Sequence, residues 1–218
     1  MPLISDAVPR QSIILASTSA RRKAILSLLG IPFQAVPPRF EEILDEKRSI
    51  VEEVTAFAEG KALSLREAFP KSILIGSDTL IECEGEKIGK PRDPKDAKKI
   101  LRRLSGRSHR IWTAVFLSDP LQPPSEIHVE TIDVTLRNMS DVEIDQYVAT
   151  GDPLDKAGAY SLQGEGRRFI ERLAGDYLAA VGLPLKPMVP FFQRAHIPVP
   201  LDVERLYRER DFMNWRTF

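Results

Sequence analysis

One stretch restricts the folds open to this chain more than any other: Ile13-Ile-Leu-Ala-Ser-Thr-Ser-Ala-Arg-Arg-Lys23. A short apolar run, read as a buried strand over 12–16, breaks into three hydroxyl residues, and a helix over 20–29 opens behind them. Ala24, Ile25, Leu28 and Leu29 share its apolar face, Gly30 ends it and Pro32 blocks continuation. A helix start carries free N–H groups and partial positive charge, so Ser17, Arg21 and Arg22 can converge on an anion such as a phosphate chain. Read alone, the same residues serve equally as an N-cap beside solvated arginines.

The rest of the chain alternates in the same way. Ser49 and Glu52 make a capping box for a helix running to about Phe69, which Pro70 ends. A second apolar strand follows over 71–76, with Asp78 and Thr79 at its exit, then a hairpin turning near Glu84-Gly85. Asp93-Pro94 opens a helix that Gly106 closes, and two strands over 111–117 and 127–136 flank a Pro-rich loop. Ser140 and Glu143 cap a helix ending at Gly151; short strands are expected over 159–162 and 169–173, and a helix from Pro184 toward Gln193. Beyond it, Val203, Leu206 and Tyr207 share a helical face followed by Phe212, Trp215 and Phe218, a pattern for docking on the body or on a second subunit. The expectation is one α/β domain over 1–218, a mixed sheet flanked by helices, with its core over about 12–195 and an extension over 196–218.

Composition narrows the partners. The 218 residues carry 31 lysines and arginines against 31 aspartates and glutamates, which argues against a broad basic face for long nucleic acid. No apolar run approaches the ~20 residues of a membrane span, and the first eleven residues lack a signal-peptide core. The single Cys83 excludes an intrachain disulfide and fits a reducing, cytoplasmic setting; Glu82 and Glu84 beside it disfavour a thiolate.

If the first two strands are parallel neighbours, their ends bring a cationic grip and the Asp78 carboxylate to one crevice. A carboxylate beside a bound anion calls for a cation between them, and magnesium suits carboxylate and phosphate oxygens together. Glu42 is a second acidic candidate. Lys61 and Lys90 taken singly read as solvated side chains, and spacing does not join them to the crevice. His109, with no matched nucleophile, reads as structural rather than as an acid or base.

Six ordered blocks join them. Leu-Ala-Ser-Thr-Ser-Ala-Arg-Arg (15–22), Gly-Ser-Asp-Thr (76–79), Gly-Lys-Pro-Arg-Asp (89–93), Leu-Ser-Gly-Arg-Ser-His (104–109), Asp-Lys-Ala-Gly-Ala-Tyr-Ser-Leu-Gln-Gly (155–164) and Val-Gly-Leu-Pro-Leu (181–185) resemble the Maf family of nucleoside triphosphate pyrophosphatases. The resemblance implies a mixed α/β fold similar to the inosine triphosphate pyrophosphatases, two lobes around a cleft, often a homodimer, and cleavage between the α and β phosphates with a divalent metal, Mg or Mn. It places Ser17, Arg22, Glu42, Lys61, Asp78 and Lys90 in the polar site, with Asp78 at the position of the family's catalytic acid; Glu42 and Asp78 are then the expected metal ligands. Arg21, Thr79 and Gln163 match the family's dTTP/UTP branch; its 7-methyl-GTP branch tends to have tryptophan, glutamine and glutamate there. A glutamine amide both donates and accepts, as a uracil or thymine edge requires. A rival reading is a regulator of cell division that binds nucleotide without cleaving it. Two features depart from the family: Ala20 stands where proline is common, and the aromatic tail beyond about Pro200 has no counterpart.

Overall fold

A seven-stranded mixed sheet, in the order β2-β1-β3-β5-β6-β7 with β4 added to β3, organises the molecule. The computed structural model describes residues 11–212 and 215–217. The N-terminal segment and Phe218, on which two of the sequence expectations fall, lie outside the described residues.

Strand β1 (Ile13–Ala16) runs parallel to both β2 (Gln34–Val36) and β3 (Ile73–Cys83). The remaining pairings are antiparallel: β3 with β4 (Glu86–Ile88), β3 with β5 (Ser108–Ser118), β5 with β6 (Glu126–Leu136), and β6 with β7 (Ile170–Ala174). Successive residues of β1 alternate between two cores, Ile13 and Leu15 on one face, Ile14 and Ala16 on the other. A sheet covered on both faces reads as a continuous apolar run, which is why β1 is legible in sequence.

Helix α2 (Ile50–Leu63) covers one face, packing Val54, Ala58 and Ala62 against Leu74, Leu80 and Phe116. The other face carries the larger core, with α1 (Ala20–Ser27), α3 (Pro94–Leu104), α4 (Asp141–Ala149), α5 (Tyr177–Val181), α6 (Met188–Arg194) and α7 (Val203–Glu209). The capping boxes of α2 and α4 form as expected, and Asp93 caps α3 with Pro94 at the first helical position.

Three expectations change. Asp78 and Thr79 lie inside β3, which runs to Cys83, because pairing with β5 from Leu74 to Glu82 carries the strand through Gly-Ser-Asp-Thr. The stretch over 159–162 is not a strand: Ala159 closes a 3₁₀ turn at φ 58, outside the extended region. The helix expected from Pro184 begins at Met188, with Pro187 as its N-cap and Pro190 in its first turn, where a missing N–H costs nothing. The five-residue α5, capped by Asp176, and the three-residue β2 had no reading in the sequence.

The tail docks on the body. Val203, Leu206 and Trp215 are buried in the larger core, and Tyr207 packs beside them. Among the described residues no helix is long and apolar enough to cross a membrane.

Candidate active site

The site arises from a gap in the sheet. One edge of β3 is paired with β5 along nearly its whole length. On the other edge, β1 pairs only as far as Ile75 and β4 only from Ile81. Residues 76–80 therefore face an opening between the end of β1 and the start of β4. A cavity of about 530 Å³ lies there.

Strand periodicity sends β3's polar side chains two ways through this gap. Asp78 shares a face with Leu74 and Leu80, toward α2, and its carboxylate Oδ1 accepts from Lys61 Nζ. Ser77 and Thr79 point to the opposite face, where Ser77 Oγ donates to the Gly182 carbonyl (2.9 Å) and Thr79 Oγ1 accepts from Arg22 (3.2 Å). The close packing of α2 on β3 depends on Gly76: a Cβ there would lie 2.0 Å from the Ala58 carbonyl oxygen. Only a glycine lets α2 bring Lys61 to Asp78.

Lys61 is 5% exposed and Asp78 3%. Lys61 Nζ also meets Glu42 Oε1 at 2.6 Å, and Glu42 Oε2 meets Lys90 Nζ at 3.1 Å, so two acids and two lysines alternate in one chain. Burial raises the Glu42 pKa, but Lys61 and Lys90 outweigh it and hold the carboxyl down at about 2. At Asp78 burial wins: it pushes the carboxyl up against the pull of Lys61 and Arg22, and the nearby Glu42 charge adds to the rise. Asp78 Oδ2 is buried with no hydrogen-bond partner.

Across the gap, α1 begins at Ala20 with Ser19 as its N-cap; Ser17 Oγ accepts from Ser19 N–H (3.1 Å). Ser19 is the cap, and Ser17, Thr18, Ser19, Arg21 and Arg22 all line the cavity. Arg22 Nε donates to the Gly182 carbonyl (2.9 Å). Its contact with Thr79 continues through a relay: Thr79 Oγ1 lies 3.0 Å from Thr113 Oγ1, and Thr113 donates to the Ala179 carbonyl (2.8 Å). The single hydroxyl hydrogen of Thr113 is committed to the Ala179 carbonyl, so Thr79 donates to Thr113 and accepts from Arg22. The Thr79 hydroxyl is therefore spent on orienting Arg22. Gly182 presents its carbonyl from φ 130, a conformation that side chains rarely tolerate.

All nine residues singled out in the sequence, Ser17, Arg21, Arg22, Glu42, Lys61, Asp78, Thr79, Lys90 and Gln163, line this one cavity. Asp155 and Lys156 line it too and pair with each other at 2.5 Å. Sequence reasoning missed the apolar wall of Ile81, Ile111, Leu162, Ala180 and Val181, and Tyr160 beside it. Tyr160 stands within the recognised block over 155–164, and that was the available signal. His109 lies behind this wall, buried, with Nε2 2.7 Å from the Tyr160 hydroxyl; desolvation lowers its pKa to about 4. Cys83 is buried, and burial together with Glu84 raises its pKa, away from a reactive thiolate.

The donor set suits a hard divalent cation. The unpartnered Asp78 oxygen and the Glu42 carboxylate supply anionic oxygens, and no group of three or more acidic, histidine or cysteine ligands exists among the described residues. Such a sparse set fits a cation completed by water and substrate phosphates. Five cationic and three acidic side chains line the cavity, a positive surplus that fits a polyphosphate.

Comparison with known proteins places the chain in a family. The model of the family described as Maf-like protein matches residues 12–195. The dTTP/UTP pyrophosphatase of Dictyoglomus thermophilum is 43% identical over 177 residues, covering 81% of this chain and 92% of that protein. That of Bacillus velezensis is 42% identical over 173 residues, covering 79% and 90%. A solved structure, the Ham1 protein of Staphylococcus aureus, aligns at a TM-score of 0.42 and 17% identity over 73% of this chain and 93% of that one, too loose to bear on the site. With the family model spanning all but the two ends of the sequence, the chain belongs to the Maf family.

Proposed function

We propose that this chain hydrolyses dTTP and UTP between the α and β phosphates, giving the nucleoside monophosphate and pyrophosphate. The observation that carries the reading is the juxtaposition of Asp78, with a free buried oxygen and a raised pKa, and the Arg22–Lys61–Lys90 cations around one cavity. The relatives named dTTP/UTP pyrophosphatase, and Arg21, Thr79 and Gln163 at the positions that mark that branch, support the choice of nucleotide.

Asp78 accepts a proton from a water whose oxygen attacks the α phosphorus; the bond to the bridging oxygen breaks, and pyrophosphate leaves with the electron pair. A carboxylate of raised pKa is a stronger base for this step. Arg22 and Lys90 neutralise the charge that grows on the departing pyrophosphate, while Ser17 and the start of α1 bind phosphate oxygens. Thr79 serves through Arg22, which it orients. Gln163, on the loop shaped by Ser161 Oγ accepting from the Gln163 and Gly164 amides, reads the base edge with Arg21. Glu42 and Asp78 would hold the magnesium or manganese ion. When bound, that ion supplies charge neutralisation on the phosphates and a more acidic water.

Cytoplasmic residence and a homodimer belong to the same proposal, supported by the single buried Cys83 and by the habit of the family. Sedimentation at micromolar concentration checks the dimer. A panel of dTTP, UTP, CTP and 7-methyl-GTP, assayed for pyrophosphate with and without magnesium or manganese, tests the activity. Preference for dTTP and UTP with metal is expected. Preference for 7-methyl-GTP overturns the specificity, and saturable binding without pyrophosphate release overturns the enzyme in favour of a nucleotide-binding regulator.

A further inference from the structure

Arg22 is held jointly by β3, through Thr79, and by one short helix. Its Nε bonds the Gly182 carbonyl at the end of α5, and its relay through Thr79 and Thr113 ends on the Ala179 carbonyl within α5. A five-residue helix is too short to hold its own shape in water, so its position is set by what packs on it.

Besides β5, β6 and α1, part of what packs on it comes from beyond the family-matched residues. Asp176, the N-cap of α5, uses Oδ1 to accept from the Leu178 and Ala179 amides and Oδ2 to accept from the Tyr207 hydroxyl (2.7 Å). Trp215 stacks on Tyr177, the first residue of α5, with ring centroids 5.4 Å apart, and meets Tyr207 edge-on at 4.8 Å. Lys186, just after α5, lies 4.4 Å over the Tyr207 ring. The same segment passes the end of α1, the helix that carries Arg22. There Pro200 crosses so closely that a Cβ on Gly30 would lie 2.7 Å from its Cγ. Val203 and Leu206 sink into the core that α1 and α5 share.

We infer that residues 196–212 together with Trp215 form a strap that fixes the anion grip, with Tyr207 and Trp215 as positioning residues acting through α5 on Arg22. The strap touches both supports of the guanidinium: α1, which carries it, and α5, which supplies its acceptors. Neither residue lines the cavity. This rests on the proposed reading of Arg22 as a phosphate ligand.

The test measures affinity of the full chain for inorganic triphosphate by calorimetry, with Tyr207→Phe and Trp215→Ala made in the wild type and in an Arg22→Met background. Tyr207→Phe keeps the ring and its packing, so it reports even if Trp215→Ala does not fold. In the wild-type background the expected losses are about threefold for the lost hydroxyl and about tenfold for the lost indole. In the Arg22→Met background both shrink to within about twofold, because the residues act as one unit. Equal losses in the two backgrounds, no loss in the first, or a wild type without affinity for triphosphate would each overturn the strap. Pyrophosphate release from dTTP is recorded on the same samples. A chain that binds triphosphate with the expected coupling but releases nothing keeps the strap and loses the hydrolytic reading.

Discussion

Helix α2 buries two charges on one stripe, and they serve different ends. Glu53 and Lys61 are eight residues apart, about 12 Å along the axis, and both face inward. Glu53 Oε2 meets Lys87 at 2.6 Å and accepts from the Asp45 amide at 3.0 Å, while Lys87 donates to the Asp45 carbonyl. That pair pins the loop carrying Glu42 to the β3–β4 hairpin and is sealed. Lys61 instead joins two acids at the edge of a cavity, where Asp78 keeps an oxygen without a partner. Glu53 also keeps one, Oε1, yet does not line this cavity. An unpaired buried oxygen thus points to chemistry only where there is room for a ligand.

Four changes bear on this contrast. Lys61→Met should have the largest effect, because it leaves Asp78 and Glu42 facing each other without their shared cation. Turnover of dTTP should fall by about 10²–10³-fold, the size expected for losing one preorganised charge. Lys87→Met, at the sealed pair, should reverse the pattern. Breaking a buried ion pair costs about 3–5 kcal/mol, so denaturant midpoints should drop sharply. Turnover, measured where the protein is still folded, should change by less than about tenfold. Comparable losses of turnover from the two variants would erase the distinction.

His109 adds a third buried group, with a pH signature. Its folded pKa of about 4 lies below the ordinary 6.5, so the stability of the neutral ring is fully present above pH 6.5 and is lost as pH falls through 4. The difference corresponds to at most about 3 kcal/mol. Thermal midpoints across that window should show the slope in the wild type, and His109→Gln should flatten it. The smallest effect belongs to Ser49→Ala, which removes the α2 capping box and should cost about 1 kcal/mol of stability while leaving turnover unchanged.

The contrast also shows what a sequence discloses. Ser17, Arg21 and Arg22 were legible because strand, hydroxyls and helix start are local. Glu42, Lys61 and Lys90 were not, since their meeting depends on a gap left by the different lengths of β1 and β4 along β3; only family resemblance joined them. Asp78 was placed at a strand exit because Gly-Ser-Asp-Thr has turn composition, yet pairing with β5 and bonds to Arg22 and Gly182 satisfy those polar side chains inside the strand. The Glu53–Lys87 pair had no sequence signal, as it joins residues 34 apart. Helix α5 escaped because five residues are too few for a helical period to show.

The most direct measurement is the rate and identity of products formed from dTTP by the wild type and by Asp78→Asn. The account predicts dTMP and pyrophosphate in equal amounts from the wild type. It predicts a rate at least about 10³-fold lower from the variant, measured where circular dichroism shows the variant folded. Release of dTDP and single phosphate, or near-normal turnover by Asp78→Asn, would contradict it.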